Sequence, residues 1–478
     1  MHIGLIARRD TRAVETWAKS AGMTIIRTVG RMVRVDTDFD TIAKTFHVEW
    51  EKIDAGWHTT DKPTKPDCVQ HVVGLSTKGH AHHMHVYADA SKSPAEIEGF
   101  PPLSYMGLKD YPGYIPANIL AAYEADVPWN GAGETIGICE WGQDFAQSDL
   151  DLFCSLLGLP AITPTVVNVG GYVPSGPTGT EANLDVQWAH GIAPGAAITV
   201  YQGSPGTPAN PNSFTESFAA WALEVTEMLN YIAALPTPPS ILSVSYGNME
   251  SSFTSGDLQA WDLAIQDLGD KGCTVVVSSG DQGADGDHAP HYPQFAQACA
   301  PASCPHALGV GGTTLYANNG TYGPEWAWAN WFNMGASGGG LSKEFSEPSY
   351  QFGNVGKRQV PDIAACADPS APALFAINGQ PSMVGGTSWA APVVAGLLTR
   401  VNHARRLAGF HSLGFINPVI YDLERKGIEL CKDITTGNNT FDSVTGYQAQ
   451  KGYDWVTGWG SPILTAWLDQ LAWGAPQP

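Results

Sequence analysis

The chain is short of positive charge. Its 478 residues carry 25 lysines and arginines against 46 aspartates and glutamates, for a net charge of −21. A balance this acidic argues against a nucleic-acid partner, since phosphate binding needs a basic surface. There is no apolar run of about 18 residues, and hence no expected membrane span. The opening MHIGLIARRD is too short in apolar residues for a secretory signal and is broken by two arginines. The chain is therefore cytosolic, has lost a signal, or is exported by another route. The eight cysteines, at 68, 139, 154, 273, 299, 304, 366 and 431, form no C-x-x-C pair, which argues against structural zinc. Cys139 and Cys273 stand in apolar runs and read as buried thiols, while Cys299 and Cys304 either close a short disulfide or stay reduced. What the chain has in quantity is glycine, 53 residues, and proline, 34, with 43% hydrophobic residues. That is a turn-rich globular composition, long enough for one large domain and one smaller. A low isoelectric point also suits a protein that must stay folded in acid.

Along the chain, residues 1–76 read as a small α+β unit of the ferredoxin-like kind. HIGLIA is a strand, DTRAVETWAKSAG a helix ending on glycine, TIIRTVGRMVRVD two strands about a glycine turn. FDTIAKTFHV is a second helix and CVQHVVGLS a closing strand, and basic residues concentrate toward this end. Residues 77–112 lack periodicity and read as an exposed linker. Its HAHHMH run, with His80, His82, His83 and His85, is either a metal-binding cluster or simply part of a cleavable linker. From 113 to 478, the apolar strands TIGIC, AITVY, ILSVSYG, CTVVVSSG and ALGVGG alternate with helical stretches. Such strands with helical crossovers predict an α/β fold: a parallel sheet covered by helices on both faces, with functional groups at the strands' carboxyl ends.

Three motifs carry chemistry. MVGGTSWAAPVVAG places Ser388 among small residues at the start of an apolar helix, with Pro392 tolerated near that start. The stretch resembles the serine signature of subtilisin-like peptidases, and a serine nucleophile needs a base. The histidine motif of subtilisins is absent; His190, in WAHGIAPGA, is the nearest substitute. Upstream lies EANLD, whose Glu181 and Asp185 are four apart on one helix face beside Leu184, Trp188 and Ile192. An exposed acidic face is one reading. The other is a shielded pair whose carboxyls raise one another's pKa and share a proton, leaving a base usable in mild acid. Asp281, in SSGDQG, ends a strand; it is either a turn residue or, when protonated, a donor to an oxyanion.

Glu181–Asp185, SSGDQG and GGTSWAAP together resemble the sedolisins, the serine-carboxyl peptidases, and the resemblance extends through SVSYG (243–247), SGGGLS (337–342) and VPDIA (360–364). It implies a subtilisin-like fold preceded by a prosegment of the pro-kumamolisin type, over 1–76, that covers the cleft as an intramolecular inhibitor. It implies Ser388 as nucleophile, Glu181 as general base, Asp185 as the carboxyl that orients it and Asp281 as oxyanion stabiliser. Glu140 matches a supporting glutamate behind Asp185, and Tyr246 stands where relatives often carry tryptophan. CKDITTGNN and QKGYDWVTGWGSP resemble the family's calcium site, with carboxylates from Asp433 and Asp454 and carbonyls from Ile434, Gln450 and Gly452. Gln450 departs from the family pattern, which has glycine there. The implied protein is a self-processing acid endopeptidase acting on proteins and peptides, monomeric, extracellular or in an acidic compartment. A tripeptidyl-peptidase, a histidine-dependent subtilisin using His190 and a non-catalytic binding relative are the alternatives.

Overall fold

The computed structural model describes all residues except 54–55, 60–61, 77–81, 85, 88–112, 175–178, 206–217, 286–294, 318–320, 330–333 and 475–478. The N-terminal unit runs β1 (His2–Ala7), α1 (Thr11–Ser20), β2 (Thr24–Val29), β3 (Met32–Asp36) and α2 (Phe39–Phe46). A hairpin, β4 (Glu51–Ile53) and β5 (Gly56–His58), then precedes β6 (Val69–Val73). Asp10 and Asp38 start the two helices, their carboxylates accepting from Arg12 N at 3.0 Å and Thr41 N at 2.7 Å. The strands form an antiparallel sheet in the order β2-β3-β1-β6, the expected β-α-β-β-α-β arrangement with one added hairpin.

Strand alternation decides what each face of this sheet meets. Ile3, Leu5, Val33 and Val35 point to Val14, Ala18, Ile42 and Phe46 of α1 and α2. Ile6, Met32 and Val73 point the other way and join a cluster belonging to the larger unit. The sheet is thus covered on both faces.

The larger unit follows β7 (His82–His83) and β8 (Val86–Tyr87). It begins α3 (Pro116–Ala122), β9 (Thr135–Trp141), α4 (Gln147–Leu157), β10 (Thr165–Asn168), α5 (Thr180–Ile192), β11 (Ala197–Gly203) and α6 (Phe218–Ala233). It continues β12 (Ile241–Val244), β13 (Tyr246–Met249), α7 (Ser255–Asp270), β14 (Thr274–Ser278), β15 (Cys299–Ala300), β16 (Leu308–Leu315) and β17 (Glu325–Ala327). Short β18 (Gly340–Leu341) and β19 (Gln359–Val360) precede β20 (Ile363–Cys366), β21 (Ala373–Ile377), β22 (Gln380–Gly385) and α8 (Thr387–Leu407). The central sheet has the order β10-β11-β9-β12-β14-β16-β17, with β20 also on β16. Every pairing is parallel except β16–β17.

Helices cover both faces, as predicted. On β14, Val276 faces the cluster built on α5 and α8, whereas Val275 and Val277 face the one built on α6 and α7. A Cβ on Gly396 of α8 would lie 2.6 Å from Ile192 of α5, so glycine is what lets these two helices meet closely. Among the described residues no helix is long and apolar enough to cross a membrane. None of the eight cysteines is in a disulfide, so none closes the loop between Cys299 and Cys304.

Candidate active site

Three buried carboxyls converge where β9, α5 and the chain leaving β12 come together. Glu140 ends the apolar run of β9, and Glu181 and Asp185 lie one turn apart on α5; all three are 0% exposed. α5 carries no capping side chain of its own at Gly179. Gln143 Oε1 takes that place, accepting from Glu181 N at 2.7 Å. Farther along, Gln187 pins α5 to β21, donating to Ala376 O at 2.8 Å and accepting from Ala376 N at 2.7 Å. The exposed acidic face is therefore ruled out: residues 181–192 are buried throughout.

Burial holds Asp185 well above the ordinary carboxylate range, reinforced by the negative charges of Glu181 and then Glu140. Glu140 is raised in the same way, by burial and then by Glu181, against the hydroxyl that Tyr246 donates to Glu140 Oε2 at 2.8 Å. Glu140 thus feels Glu181 as its strongest charged neighbour, rather than serving only as a group behind Asp185. Tyr246 does support this cluster, edge-on to Trp141 at 5.2 Å.

Ser388 is the second residue of α8. The turn before it uses Gly386 at φ +118, a backbone conformation that side-chain-bearing residues avoid. Pro392 falls inside the helix rather than at its start, so it cannot donate to the Ser388 carbonyl four residues back. That carbonyl instead lies 3.5 Å from Ser245 Oγ. The Ser245 hydroxyl makes its short bond, 2.6 Å, to Asp185 Oδ2, and the Ser245 carbonyl accepts from Ser388 Oγ at 3.3 Å. One residue thereby ties the helix of the serine to the helix of the carboxyls. The motif SVSYG by itself carries no sign of this role for Ser245.

Asp281 follows β14 and reaches the same place. Its Oδ1 accepts from Thr387 N at 2.8 Å and Thr387 Oγ1 at 2.7 Å, while Thr387 Oγ1 accepts from Gly280 N at 3.1 Å. Glu140, Glu181, Asp185, Asp281, Tyr246 and Ser388 are all brought together, at the carboxyl ends of the strands. His190 is not. It sits nine residues beyond Glu181 on α5, about 13 Å along the helix axis. Its Nε2 is 2.8 Å from Pro160 O and its pKa is lowered by burial.

Part of the expected linker lies in this cleft. His82–His83 (β7) pairs antiparallel with Tyr246–Gly247, and Val86–Tyr87 (β8) pairs antiparallel with Val384–Gly385. Between them Met84, 4% exposed, donates N–H to Ser245 O at 3.4 Å and accepts from Ser388 N at 2.7 Å. An exposed linker does not describe Met84. The metal reading of HAHHMH falls on His80, His85 and the side chains of His82 and His83, outside the described residues.

The C-terminal loops bring Asp433 and Asp454 to neighbouring positions. Asp433 Oδ2 accepts from Gly452 N at 2.8 Å, and Asp454 Oδ2 from Gln450 N at 3.0 Å. The carbonyls of Ile434, Gln450 and Gly452 accept no hydrogen bond among the described residues. Two carboxylates and three unpartnered carbonyls make an all-oxygen donor set, which fits a hard cation such as Ca²⁺. Without such a cation, burial pushes Asp454 up to about 6. Among the described residues there is no cluster of three or more His, Cys, Asp or Glu side chains that could hold a metal.

The Subtilase family model matches residues 170–408. Kumamolisin from a Bacillus species is 34% identical over 382 residues, covering 76% of this chain and 64% of that protein. A tripeptidyl-peptidase of Aspergillus fumigatus is 30% identical over 405 residues, covering 70% of this chain and 61% of that protein. Pseudomonas sedolisin, a serine-carboxyl proteinase solved with two molecules of pseudo-iodotyrostatin, superposes with a TM-score of 0.64 at 28% identity. That match covers 76% of this chain and 99% of the solved one. The chain spans less than two thirds of the length of these curated relatives. The chain belongs to the subtilase family and, within it, to the sedolisins.

Proposed function

We propose that the chain is an acid-acting serine-carboxyl endopeptidase, made as a zymogen, that hydrolyses proteins and peptides. Residues 1–76 serve as prosegment, 77–112 contain the processing site and 113–478 form the peptidase, acting outside the cell or in an acidic compartment. Ser388 Oγ attacks the scissile carbonyl, Glu181 takes its proton and later gives it to the leaving amine, and Asp185 orients Glu181. The Ser388 N–H and a protonated Asp281 stabilise the oxyanion, and water then releases the acyl group. The reading is carried by the Ser245 bridge, 2.6 Å to Asp185 and 3.3 Å to Ser388.

Its test is the pH dependence of hydrolysis of a denatured protein. Activity is expected to peak in acid; a peak at or above neutrality would favour an imidazole base. Ser245→Ala is expected to cost about 10²-fold, since it frees a positioned carboxyl. Ser245 donates to Asp185 and so pulls its pKa down. Its loss should move the Asp185 limb of the profile upward, whereas an unshifted profile would make Ser245 a packing residue only.

One calcium ion would be held by Asp433, Asp454 and the carbonyls of Ile434, Gln450 and Gly452, clamping the C-terminal loops. Saturating calcium is expected to raise the unfolding temperature, as a ligand at 100 times its Kd adds about 2.7 kcal/mol. The cation needs an ionised Asp454, whose pKa without it is about 6. The gain should therefore be larger at neutral pH than in acid. An equal response to calcium in Asp454→Asn would remove the site from these loops.

A further inference from the structure

Met84 is held as a substrate residue would be. Its carbonyl meets the backbone N–H of Ser388 at 2.7 Å, and its own N–H shares the Ser245 carbonyl, at 3.4 Å, with the Ser388 hydroxyl at 3.3 Å. The serine hydroxyl and the Met84 N–H therefore share one acceptor, while the serine's own N–H holds the Met84 carbonyl. Flanking residues are extended on both sides, β7 against β13 and β8 against β22, so main-chain pairing sets the register across α8's first turn.

The Met84 side chain reports what that register selects. A Cβ on Gly247 would lie 3.1 Å from Met84 Cε, and one on Gly280 would lie 3.8 Å from its Sδ. Gly280 stands at φ +110, and its Cβ would also meet the Cys299 sulfur at 2.9 Å. The thioether thus runs into a slot whose walls include two bare glycine backbones near a cysteine sulfur. A slot of this make admits a long apolar side chain unbranched at Cβ, while a charge placed there loses water without finding a partner in those walls.

We propose that Gly247, Gly280 and Cys299 form the subsite that selects the residue preceding the cleaved bond, that it takes apolar side chains unbranched at Cβ, and that the bond following Met84 is the one the chain cuts in itself. This rests on the peptidase reading above. In the step, Ser388 Oγ bonds to the Met84 carbonyl carbon and the bond to the nitrogen of residue 85 breaks. The serine proton passes through Glu181 to that nitrogen, which leaves as an amine. Water then cleaves the ester, giving a carboxylate on Met84 and restoring Ser388.

The test is incubation of the full chain at about pH 4, reading the N-terminus of the first product by mass spectrometry, with casein as a second substrate. The expected first product begins at His85. Met84→Leu should be cut at the same bond at a similar rate. Met84→Lys should be cut there at least about 10-fold more slowly. Cuts in casein should follow methionine and leucine well above valine, isoleucine and charged residues. A first product beginning elsewhere while casein is cleaved overturns the assignment and leaves the peptidase standing, as does unchanged cutting of Met84→Lys after residue 84. If neither the chain nor casein is cut, the peptidase reading itself fails and takes this inference with it.

Discussion

Ser388→Ala is expected to leave the chain folded, uncut and inert. The lost hydroxyl makes one hydrogen bond, 3.3 Å to Ser245 O, so its removal costs about 1 kcal/mol, and alanine is well suited to a helix. The Ser388 N–H that holds the Met84 carbonyl is unaffected, so the linker should stay in the cleft. Hydrolysis, in contrast, loses its nucleophile, and a fall of about 10⁴- to 10⁶-fold in kcat is expected. Glu181→Gln should be nearly as severe, and the double variant little worse, because nucleophile and base act as one unit. Acid incubation on a gel decides it: wild type sheds an N-terminal fragment and the alanine chain does not. An alanine chain that shortens itself, unaided and at the wild-type rate, would remove Ser388 from catalysis.

The parts of this site that could be read from the sequence are those with a local pattern. EANLD shows its spacing because both carboxyls lie on one helix, and GGTSWAAP shows a serine at a helix start because glycines and a proline punctuate it. The strands of the central sheet stand out as apolar runs because both faces are buried. Ser245 leaves no such mark. A serine at a strand end acquires its meaning only from Asp185, 60 residues earlier, and Ser388, 143 residues later. Strands β7 and β8 were illegible for a related reason. Each has two residues, and the pairing that makes them strands comes from edges of another unit. The β21–β22 hairpin is different, because its turn is written locally in the sequence. Asn378-Gly379 joins Ile377 to Gln380 with φ of +53 and +71, the turn that the Asn-Gly pair favours. That hairpin carries the chain into Gly385 and forms one wall of the cleft.

The second large effect is expected far from the serine, at Arg34→Met. Arg34 projects from the face of the N-terminal sheet that lies on α6, where it is 2% exposed. It donates to Glu224 at 2.9 Å and Glu227 at 2.7 Å, themselves 5% and 1% exposed, while Arg27 adds a 2.6 Å bond to Glu227. Methionine fills similar space but leaves two buried carboxylates facing each other with one cation fewer, and breaking a buried pair in this way costs about 3–5 kcal/mol. Burial and then, after Arg34's opposing pull, the charge of Glu227 set Glu224 at about 7, above the ordinary range. A raised carboxyl takes up a proton on docking. Its contribution is complete below the ordinary carboxylate range and is lost as pH rises through about 7. Acidification therefore does not loosen the interface through Glu224; within the zymogen reading, release of residues 1–76 in acid falls to the cut in the linker. The same sign makes Arg34→Met most harmful at alkaline pH, where Glu224 is ionised, and milder in acid, where it holds a proton. In chains kept intact by Ser388→Ala, calorimetry at about pH 8 should show an earlier transition splitting off for the N-terminal unit, shrinking at about pH 4. A single transition at the parent's temperature under alkaline conditions would mean that the apolar contacts of Ile6, Met32 and Val73 hold the unit in place without the ion pairs.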